Sequence, residues 1–373
     1  MLLLFWLSIF LVFFAYIGYP LSLFTAGAFV NREIKFREEV FPTLSIILPV
    51  YNGERILAAK IENLLDLDYP HDKLEFIIVS DASTDNTAEI VQSYLDARLR
   101  FFELPKRTGK AGALNLAVGK ANHELLVFTD AAILLEKQAL KEIVKPFSDD
   151  TVGCVSGEDH IPGQSSEGLY GRYELMIRNL ESRLSSIVGA SGCFYAQRKD
   201  ICREFPEGMA PDFYSVLKTV EKGYRAVTWP QARGRMGHSH NASLEFNRKV
   251  RTLVRGITAL AHMRHLLHVF KYGFFSFELW CHKVLRWCAG LFLIAAFLSN
   301  LILIGNLFFL MVMIIQVLFY LAAYIGWKAP IVSECPAIFR IPFFFCSVNL
   351  ASNLAIFRYV RGVRIEIWEP TLR

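Results

Sequence analysis

Short apolar runs alternate with amphipathic segments through the first half of the chain. Residues 43–49 form a continuous apolar run of strand length, and residues 54–65 behind it carry apolar positions at helical spacing. The same pairing recurs at residues 74–80 with 87–95 and at residues 124–130 with 137–144. Buried strands that alternate with amphipathic helices predict an α/β fold with a parallel, doubly wound, Rossmann-like sheet.

Longer apolar segments flank this region. Residues 2–29 carry no charge and exceed the about 20 residues that a helix needs to cross a bilayer. Residues 288–327 are also uncharged and predict two spanning helices joined by a tight turn. Residues 341–357 form a shorter segment that contains Pro342, so re-entrant or interfacial placement is favoured over a third span.

Basic residues after the first apolar segment orient the chain. Arg32, Lys35 and Arg37 follow it, so the positive-inside rule predicts an outside N-terminus and a cytoplasmic middle region. The alternative, a cleaved signal peptide, lacks a basic n-region. Residues 248–272 have one apolar and one basic face, which predicts a helix on the membrane surface or, alternatively, a helix packed on the domain.

The predicted organisation has five parts. They are an N-terminal transmembrane helix (1–30), a cytoplasmic domain (41–235), an interfacial amphipathic segment (245–286), two transmembrane helices (287–327), and a third apolar segment with a basic tail (338–373).

Composition agrees with a chain that is part soluble and part membrane-bound. Hydrophobic residues make up 53% and charged residues 20%, and the net charge is only +5, with the basic excess near the apolar segments. Anionic lipid headgroups are therefore the expected partner, and nucleic acid is not. The seven cysteines are never paired as C-x-x-C, so free thiols are expected. The late histidines lack carboxylate or thiol partners at ligand spacing, so loop or interface roles are expected.

Polar motifs follow the predicted strands, where ligands bind in a doubly wound sheet. In chain order they are LPVYNGE (48–54), VSDASTDNT (79–87), GKAGALN (109–115), FTDAA (128–132), GASGCFYAQR (189–198), PDFYSVLKTVEKGYR (211–225) and a closing WEPTLR. Their order and spacing resemble the family-2 inverting glycosyltransferases of the GT-A fold, including the membrane-embedded enzymes that make bacterial exopolysaccharides. The resemblance extends over residues 44–373.

This resemblance implies a nucleotide-diphospho-sugar donor, with a UDP-sugar as the first expectation. Tyr51 and Glu54 would line the nucleoside pocket, Asp81 would accept a hydrogen bond from the base, and Lys110 would offer a cation to the diphosphate. Each residue has a structural alternative. Glu54 in a first helical turn favours the helix dipole, Asp81 is suited to capping a helix, and a lysine at a helix start is commonly solvated.

Asp130 matches the first Asp of the D-x-D motif by which the family holds Mg²⁺ or Mn²⁺ against the diphosphate. Ala132 stands at the third position and cannot coordinate an ion, so weak metal dependence is expected. Arg248 and Arg251 fall about where processive relatives carry Q-x-x-R-W, and a guanidinium suits a diphosphate. The alternative for Asp130 is a cap at the end of a strand.

Asp212 matches the last Asp of the family's E-D or D-D motif and is the expected general base. Pro211 replaces the preceding carboxylate, and a helix-capping Asp is the alternative. Gly189, Ser191 and Gly192 would shape the acceptor site.

The resulting hypothesis is inverting sugar transfer to a lipid-linked or polysaccharide acceptor at the cytoplasmic face of the plasma (inner) membrane. One alternative is a processive polysaccharide synthase that also extrudes its product, against which the missing Q-x-x-R-W speaks. Another is a catalytically impaired membrane subunit, a pseudo-transferase. Ala132 and Pro211 favour it, and the retained Asp81, Asp130 and Asp212 oppose it.

Overall fold

The computed structural model describes residues 1–36, 41–160, 166–202, 204–236, 242–329, 335–365 and 367. Arg37, the closing WEPTLR and two of the late histidines, His238 and His240, lie outside these ranges.

Within the described residues, eight strands form one sheet in the order β3-β2-β1-β4-β7-β6-β8-β5. The strands are β1 (Leu44–Val50), β2 (Leu74–Ser80), β3 (Leu99–Glu103), β4 (Leu125–Thr129), β5 (Ile133–Leu135), β6 (Val152–His160), β7 (Phe194–Arg198) and β8 (Arg225–Met236).

Eleven longer helices are described over the same ranges. They are α1 (Leu2–Gly27), α2 (Leu57–Leu65), α3 (Thr87–Gln92), α4 (Gly109–Lys120), α5 (Ala139–Val144), α6 (Ser166–Leu184), α7 (Pro211–Glu221), α8 (Ala242–His262), α9 (Phe274–Leu303), α10 (Leu307–Lys328) and α11 (Ala337–Val360). Short helical turns lie at His71–Lys73, Lys145–Ser148, Arg264–Leu267 and Val269–Tyr272. Helices α1 and α9 each contain a π-helical turn, at Phe14–Gly18 and Trp280–Leu285.

The parallel sheet predicted from the apolar pattern is confirmed for the first four strands. Strand β1 pairs in parallel with β2 and β4, and β2 pairs in parallel with β3. Beyond them the sheet is mixed, so the prediction of a wholly parallel sheet is wrong: β7 runs antiparallel to both β4 and β6, whereas β6 and β8 pair in parallel. Strand β7 starts beside the end of β4, with Phe194 opposite Thr129, since the preceding loop has already returned the chain to the carboxyl edge.

The central strands are apolar throughout because both faces of the sheet are covered. Ile47 and Phe128 lie in one core with residues of α4 and α7. Ile46 and Val127 lie in the other with residues of α2 and α5. The first core also contains Phe275 and Leu279 of α9, so the start of that apolar helix packs directly on the domain.

In the part of the chain that the structure describes, four helices, α1, α9, α10 and α11, are long and apolar enough to cross a membrane. Helix α9 begins at Phe274, before the boundary expected at residue 287, because its ionisable residues are buried against other helices rather than solvated. Helix α11 runs through Pro342 over 24 residues. That length removes the argument from shortness that favoured re-entrant placement.

Helix α8 contains most of the predicted amphipathic segment and ends at His262. Its Val250 and Val254 pack against Ala351 and Ala355 of α11. The apolar face in this part of the helix therefore meets another apolar helix, and it is further along, at Ala259 and Leu260, that α8 joins the domain core.

Candidate active site

The loops after β1 and β2 are tied to each other. Asn52 and Ala82 adopt positive φ values of 48° and 55°, where the chain turns sharply at the ends of these strands. The Asn52 backbone N–H donates to Ser83 Oγ at 3.0 Å, and Asn52 Oδ1 accepts from the Thr84 N–H at 2.9 Å. The carboxyl edge of the sheet thus presents one connected surface.

Asp81, at the end of β2, is only 3% exposed. Its Oδ1 accepts from the Thr108 N–H at 2.7 Å and its Oδ2 from the Gly109 N–H at 2.9 Å. The carboxylate therefore caps α4, whose first residue, Gly109, has a φ of 77°. The capping role weighed against base binding is real, although it serves α4 rather than α3. Contact with a base stays a prediction.

Tyr51 carries a partner that the sequence did not suggest. The Arg107 guanidinium lies 3.8 Å from the centroid of the Tyr51 ring. Glu54 accepts from the Asn86 N–H at 3.4 Å and from its side-chain amide at 3.3 Å, so it joins the two loops. A stacked arginine and phenol form a flat, cationic surface beside Asp81.

Lys110 and Asp130 are brought together as the motifs suggested. Lys110 Nζ donates to Asp130 Oδ1 at 2.6 Å and to the Gly192 carbonyl at 3.2 Å. Burial by itself lowers the pKa of Lys110, but the charges of Asp130 and Asp212 outweigh it and raise this pKa above its usual value. Lys110 is thus a charged, largely buried cation and not a solvated one.

Lys60 lies beneath this pair and was missed in the sequence. It is fully buried and donates to Thr129 Oγ1 at 2.9 Å and to the Ile133 carbonyl at 2.6 Å, bracketing the loop that carries Asp130. Burial lowers the pKa of Lys60 to about 7, although Asp130 opposes this shift. The available signal was its place among the apolar positions of α2.

Asp212 stands in the first turn of α7, after Pro211. The residue at the capping position is Ala210, and no side chain caps this helix, so the capping alternative for Asp212 is not realised. A Cβ built on Gly192 would lie 3.7 Å from Asp212 Oδ2. The carboxylate therefore faces the predicted acceptor loop, where the positive end of the helix dipole favours its charge.

Arg255 of α8 is a site residue that the motif count did not reach. It is 6% exposed and donates through Nε and Nη2 to the Met209 carbonyl, at 3.1 and 2.7 Å. Burial lowers the pKa of this guanidinium, as does the like charge of Arg251, whereas the charges of Asp212 and, more weakly, of Asp130 raise it. The charge of Arg255 is therefore within electrostatic range of both carboxylates of the site.

The two arginines named from the sequence lie earlier on α8. Arg251 is one turn before Arg255, and its like charge lowers the pKa of Arg255. Arg248 is a further turn away, with a side chain 36% exposed and an ion pair to Glu245 at 2.7 Å. The structure brings Arg251 near the site and gives Arg248 another partner.

The predicted acceptor loop joins both sides of the site. Ser191 is buried and donates from Oγ to Asp159 Oδ1 at 2.6 Å, so it acts as a support for the loop. The Gly192 carbonyl accepts from Lys110. A Cβ built on Gly189 would lie 3.3 Å from Nζ of Lys283, which belongs to α9. The loop thus runs from the donor residues to an apolar helix.

Comparison with known proteins assigns a family to this geometry. The family described as Glycosyl transferase family 2 has a model that matches residues 45–205. These residues form a family 2 glycosyltransferase domain. The matched range holds Tyr51, Asp81, Lys110 and Asp130 and ends just before Asp212.

Curated relatives of the family 2 domain include bacterial synthases. A poly-β-1,6-N-acetyl-D-glucosamine synthase of Staphylococcus epidermidis is 27% identical over 186 residues, which are 47% of this chain and 44% of that protein. The probable glycosyltransferase YdaM of Bacillus subtilis is 25% identical over 224 residues, 53% of each chain. The chain thus spans about half the length of the curated relatives it matches.

A solved structure extends the likeness to the apolar helices. A mannosyltransferase from Pyrobaculum calidifontis, in complex with GDP-mannose and Mn²⁺, superposes with a TM-score of 0.74 at 23% identity. The match covers 96% of this chain and 99% of the other. The GT-A fold expected from the motifs is confirmed, and it is shared together with the flanking helices.

The family 2 domain offers one carboxylate for a divalent ion. Among the described residues, no three His, Cys, Asp or Glu side chains are grouped to hold a metal. Asp130 is followed two residues later by Ala132, and its Oδ1 already accepts from Lys110. Because Mg²⁺ is commonly held by one or two carboxylates plus substrate phosphates, these residues fit an ion only together with a diphosphate.

Proposed function

We propose that this chain is an inverting glycosyltransferase that moves a sugar from a nucleotide-diphospho-sugar to an acceptor hydroxyl at the membrane. The observation that carries the proposal is the setting of Asp212. Its carboxylate faces the Gly192 loop and lies within electrostatic reach of two buried cations, Lys110 and Arg255. A base beside two cations is what this reaction requires, since a proton is removed where a diphosphate departs.

In the proposed reaction Asp212 accepts the proton of the acceptor hydroxyl as its oxygen attacks the anomeric carbon. The bond from that carbon to the diphosphate oxygen breaks on the opposite face, and the nucleoside diphosphate leaves with the electron pair. The configuration therefore inverts. Lys110 and Arg255 stabilise the negative charge that develops on the leaving diphosphate.

A divalent ion, Mg²⁺ or Mn²⁺, would supply further positive charge to the diphosphate when bound. Asp130 is the residue proposed to hold it, with the donor's phosphate oxygens as further ligands. Lys110 remains beside Asp130 in this proposal and shares the phosphate charge with the ion.

The acceptor is proposed to be lipid-linked or a polysaccharide, at the cytoplasmic face of the plasma membrane. Two observations support this. Phe275 and Leu279 of the apolar helix α9 share a core with Phe213, the neighbour of Asp212, so the reacting end of the domain lies against the apolar helices. One curated relative is named a poly-β-1,6-N-acetyl-D-glucosamine synthase.

A donor screen tests the proposal. Membranes containing the full-length protein are incubated with radiolabelled UDP-, GDP- and dTDP-sugars, and label is followed into lipid and polymer fractions. One donor class is expected to give label above membranes without the protein. The UDP arm tests the UDP-sugar expected from the sequence, and the GDP arm tests the donor type bound by the Pyrobaculum calidifontis mannosyltransferase.

Each other outcome has a meaning. Long polymer would favour the processive synthase. Donor-dependent thermal stabilisation without turnover would favour the pseudo-transferase, for which the ion pair between Asp130 and Lys110 is the specific supporting observation. If no donor gives turnover and no donor stabilises the protein, the proposed function is contradicted.

A further inference from the structure

An ammonium group from an apolar helix reaches the acceptor side of the site. Lys283 of α9 places Nζ 3.3 Å from the position of a Cβ built on Gly189 and 5.4 Å from the centroid of the Phe213 ring. Phe213 directly follows Asp212. An ionisable side chain within a helix of spanning length is costly to bury and commonly marks a ligand or ion pathway.

The carboxylates around Lys283 are engaged with other groups. Glu181 lies 2.5 Å from His282 Nδ1, and Glu174 pairs with Arg286 at 2.5 Å. Over the ranges that the structure describes, Lys283 forms no ion pair of its own, and Arg178 and Arg286 add like charge nearby. The position thus favours an additional anion.

A cavity of about 760 Å³ lies between α9, α10 and α11. This volume is within the roughly 300–1,000 Å³ of typical ligand pockets. Its lining is mainly apolar and includes Phe246, Gly290, Ile294, Tyr320, Ala323 and Phe343.

Two helices run from this cavity to the site. On α8, Phe246 lines the cavity, and Arg255, which is within electrostatic range of Asp212, lies nine residues or about 13 Å along the helix. On α9, Gly290 lines the cavity and Lys283 stands beside Gly189, seven residues or about 10 Å away. The cavity and the cation are therefore separated by about the length of a lipid headgroup.

We propose that the acceptor is a phosphate-bearing long-chain lipid whose phosphate binds Lys283 and whose hydrocarbon chain fills the cavity between α9, α10 and α11. This inference rests on the proposed function and names its acceptor. The phosphate is inferred from its charge complementarity to Lys283, and the hydrocarbon chain is inferred from the apolar lining of the cavity. A hydroxyl carried on the phosphate-linked headgroup then meets Asp212 at the Gly189 to Gly192 loop.

Equilibrium binding to the full-length protein, without donor, tests this inference. The probes are a polyprenyl phosphate, the corresponding polyprenol and phosphatidylglycerol, with retention measured by native mass spectrometry. The wild type is expected to prefer the polyprenyl phosphate over the polyprenol by about tenfold or more, the size of one charge-assisted hydrogen bond.

The variants separate the charge from the cavity. Lys283→Met is expected to remove the preference for phosphate, and Lys283→Arg to keep most of it. Ile294→Trp is expected to weaken both polyprenyl probes, because it fills the cavity. Lys328→Met is the matched control, since this lysine ends α10 and does not line the cavity.

The overturning results are distinct. A Lys283→Met variant that keeps the preference, or phosphatidylglycerol retained as well as polyprenyl phosphate, would leave a site for bulk lipid only. If Lys283→Met does not fold, Gly189→Glu replaces it, since a carboxylate beside Nζ is expected to abolish the preference. Failure of sugar transfer would leave these binding results untouched, whereas transfer without a phosphate preference would remove only this inference.

Discussion

The donor side and the membrane side of the site are built in different ways. The donor side lies at the ends of β1, β2 and β4, and neighbouring backbone holds its residues, as the Thr108 and Gly109 N–H groups hold Asp81. The membrane side draws Asp212, Arg255 and Lys283 from three helices, and helix packing brings them together. Local chain geometry thus determines the first side, and the packing of helices distant in sequence determines the second.

The largest expected effect is on the membrane side, at Asp212. Asp212→Asn keeps the shape of the side chain and removes the base, so kcat is expected to fall by about 10² to 10⁴-fold. The dissociation constant of the donor should change only a few-fold, because the donor side is intact. Radiolabel transfer and donor titration measure the two quantities.

Asp200→Asn is the matched control, since Asp200 is exposed after the far end of β7. It should leave both quantities unchanged. Turnover by Asp212→Asn close to that of the wild type would remove Asp212 from the reaction.

The second prediction compares two arginines of α8. Arg255→Met is expected to lower kcat/KM by about 100-fold, as the loss of one preorganised charge donor does in other sites. Arg255→Lys should recover part of this loss. Arg248→Met should cost only about twofold to threefold, because an exposed ion pair contributes little. Equal losses at both positions would show that the count from Q-x-x-R-W was right about Arg248.

The difference between the two sides also explains what the sequence predicted. Residues at strand ends are found by reading apolar runs, so Asp81 and Asp130 could be singled out in this way, and the family resemblance added Lys110. The structure pairs Lys110 with Asp130 and places Asp81 on the same edge of the sheet. Arg255 could not, because its place in the site depends on how α8 packs on the domain, where its guanidinium donates to the Met209 carbonyl. Lys283 was not singled out and fell within the segment predicted to be interfacial (245–286), since charge patterning alone does not show which side chain a neighbouring helix buries.

The third prediction concerns the donor side, where Asp81 already has a structural role. Asp81→Asn keeps one acceptor oxygen for the α4 backbone and loses the charge. If Asp81 also binds the base, donor affinity should fall by about tenfold, which corresponds to 1.4 kcal/mol of binding energy. Donor titration gives the affinity, and thermal unfolding without donor gives the stability.

A fall in melting temperature with unchanged donor affinity would assign Asp81 to capping alone. That result would sharpen the comparison between the donor side and the membrane side, because Tyr51 and Arg107 would then be the residues expected to contact the base.

The fourth prediction concerns the metal. Chelation by EDTA is expected to slow transfer only a few-fold, since Asp130 is the sole carboxylate of its motif and Lys110 lies against it. Ala132→Asp restores the second carboxylate and should increase the dependence on Mg²⁺ or Mn²⁺. Ala131→Asp, one position away, is the matched control and should not. Identical EDTA profiles for all three proteins would contradict the assignment of Asp130 to the metal position.

The smallest expected effect is a pH dependence of stability from Lys60. Burial lowers the pKa of Lys60 to about 7 in the folded protein, against about 10.4 in an unfolded chain. Between these values the unfolded state binds one proton more, so folding stability gains with rising pH, and the full cost of the buried charge is present below pH 7. The Lys60→Met variant lacks this pH-dependent contribution to stability, and at every pH it also loses the hydrogen bonds to Thr129 and Ile133. The melting temperature of the wild type relative to this variant should therefore increase from about pH 6 to about pH 9.

Lys137→Met, at an exposed lysine, is the control and should show no such change. A difference independent of pH for Lys60→Met would mean that Lys60 stays protonated beneath Asp130, and the donor side would then hold one more cation than is described above.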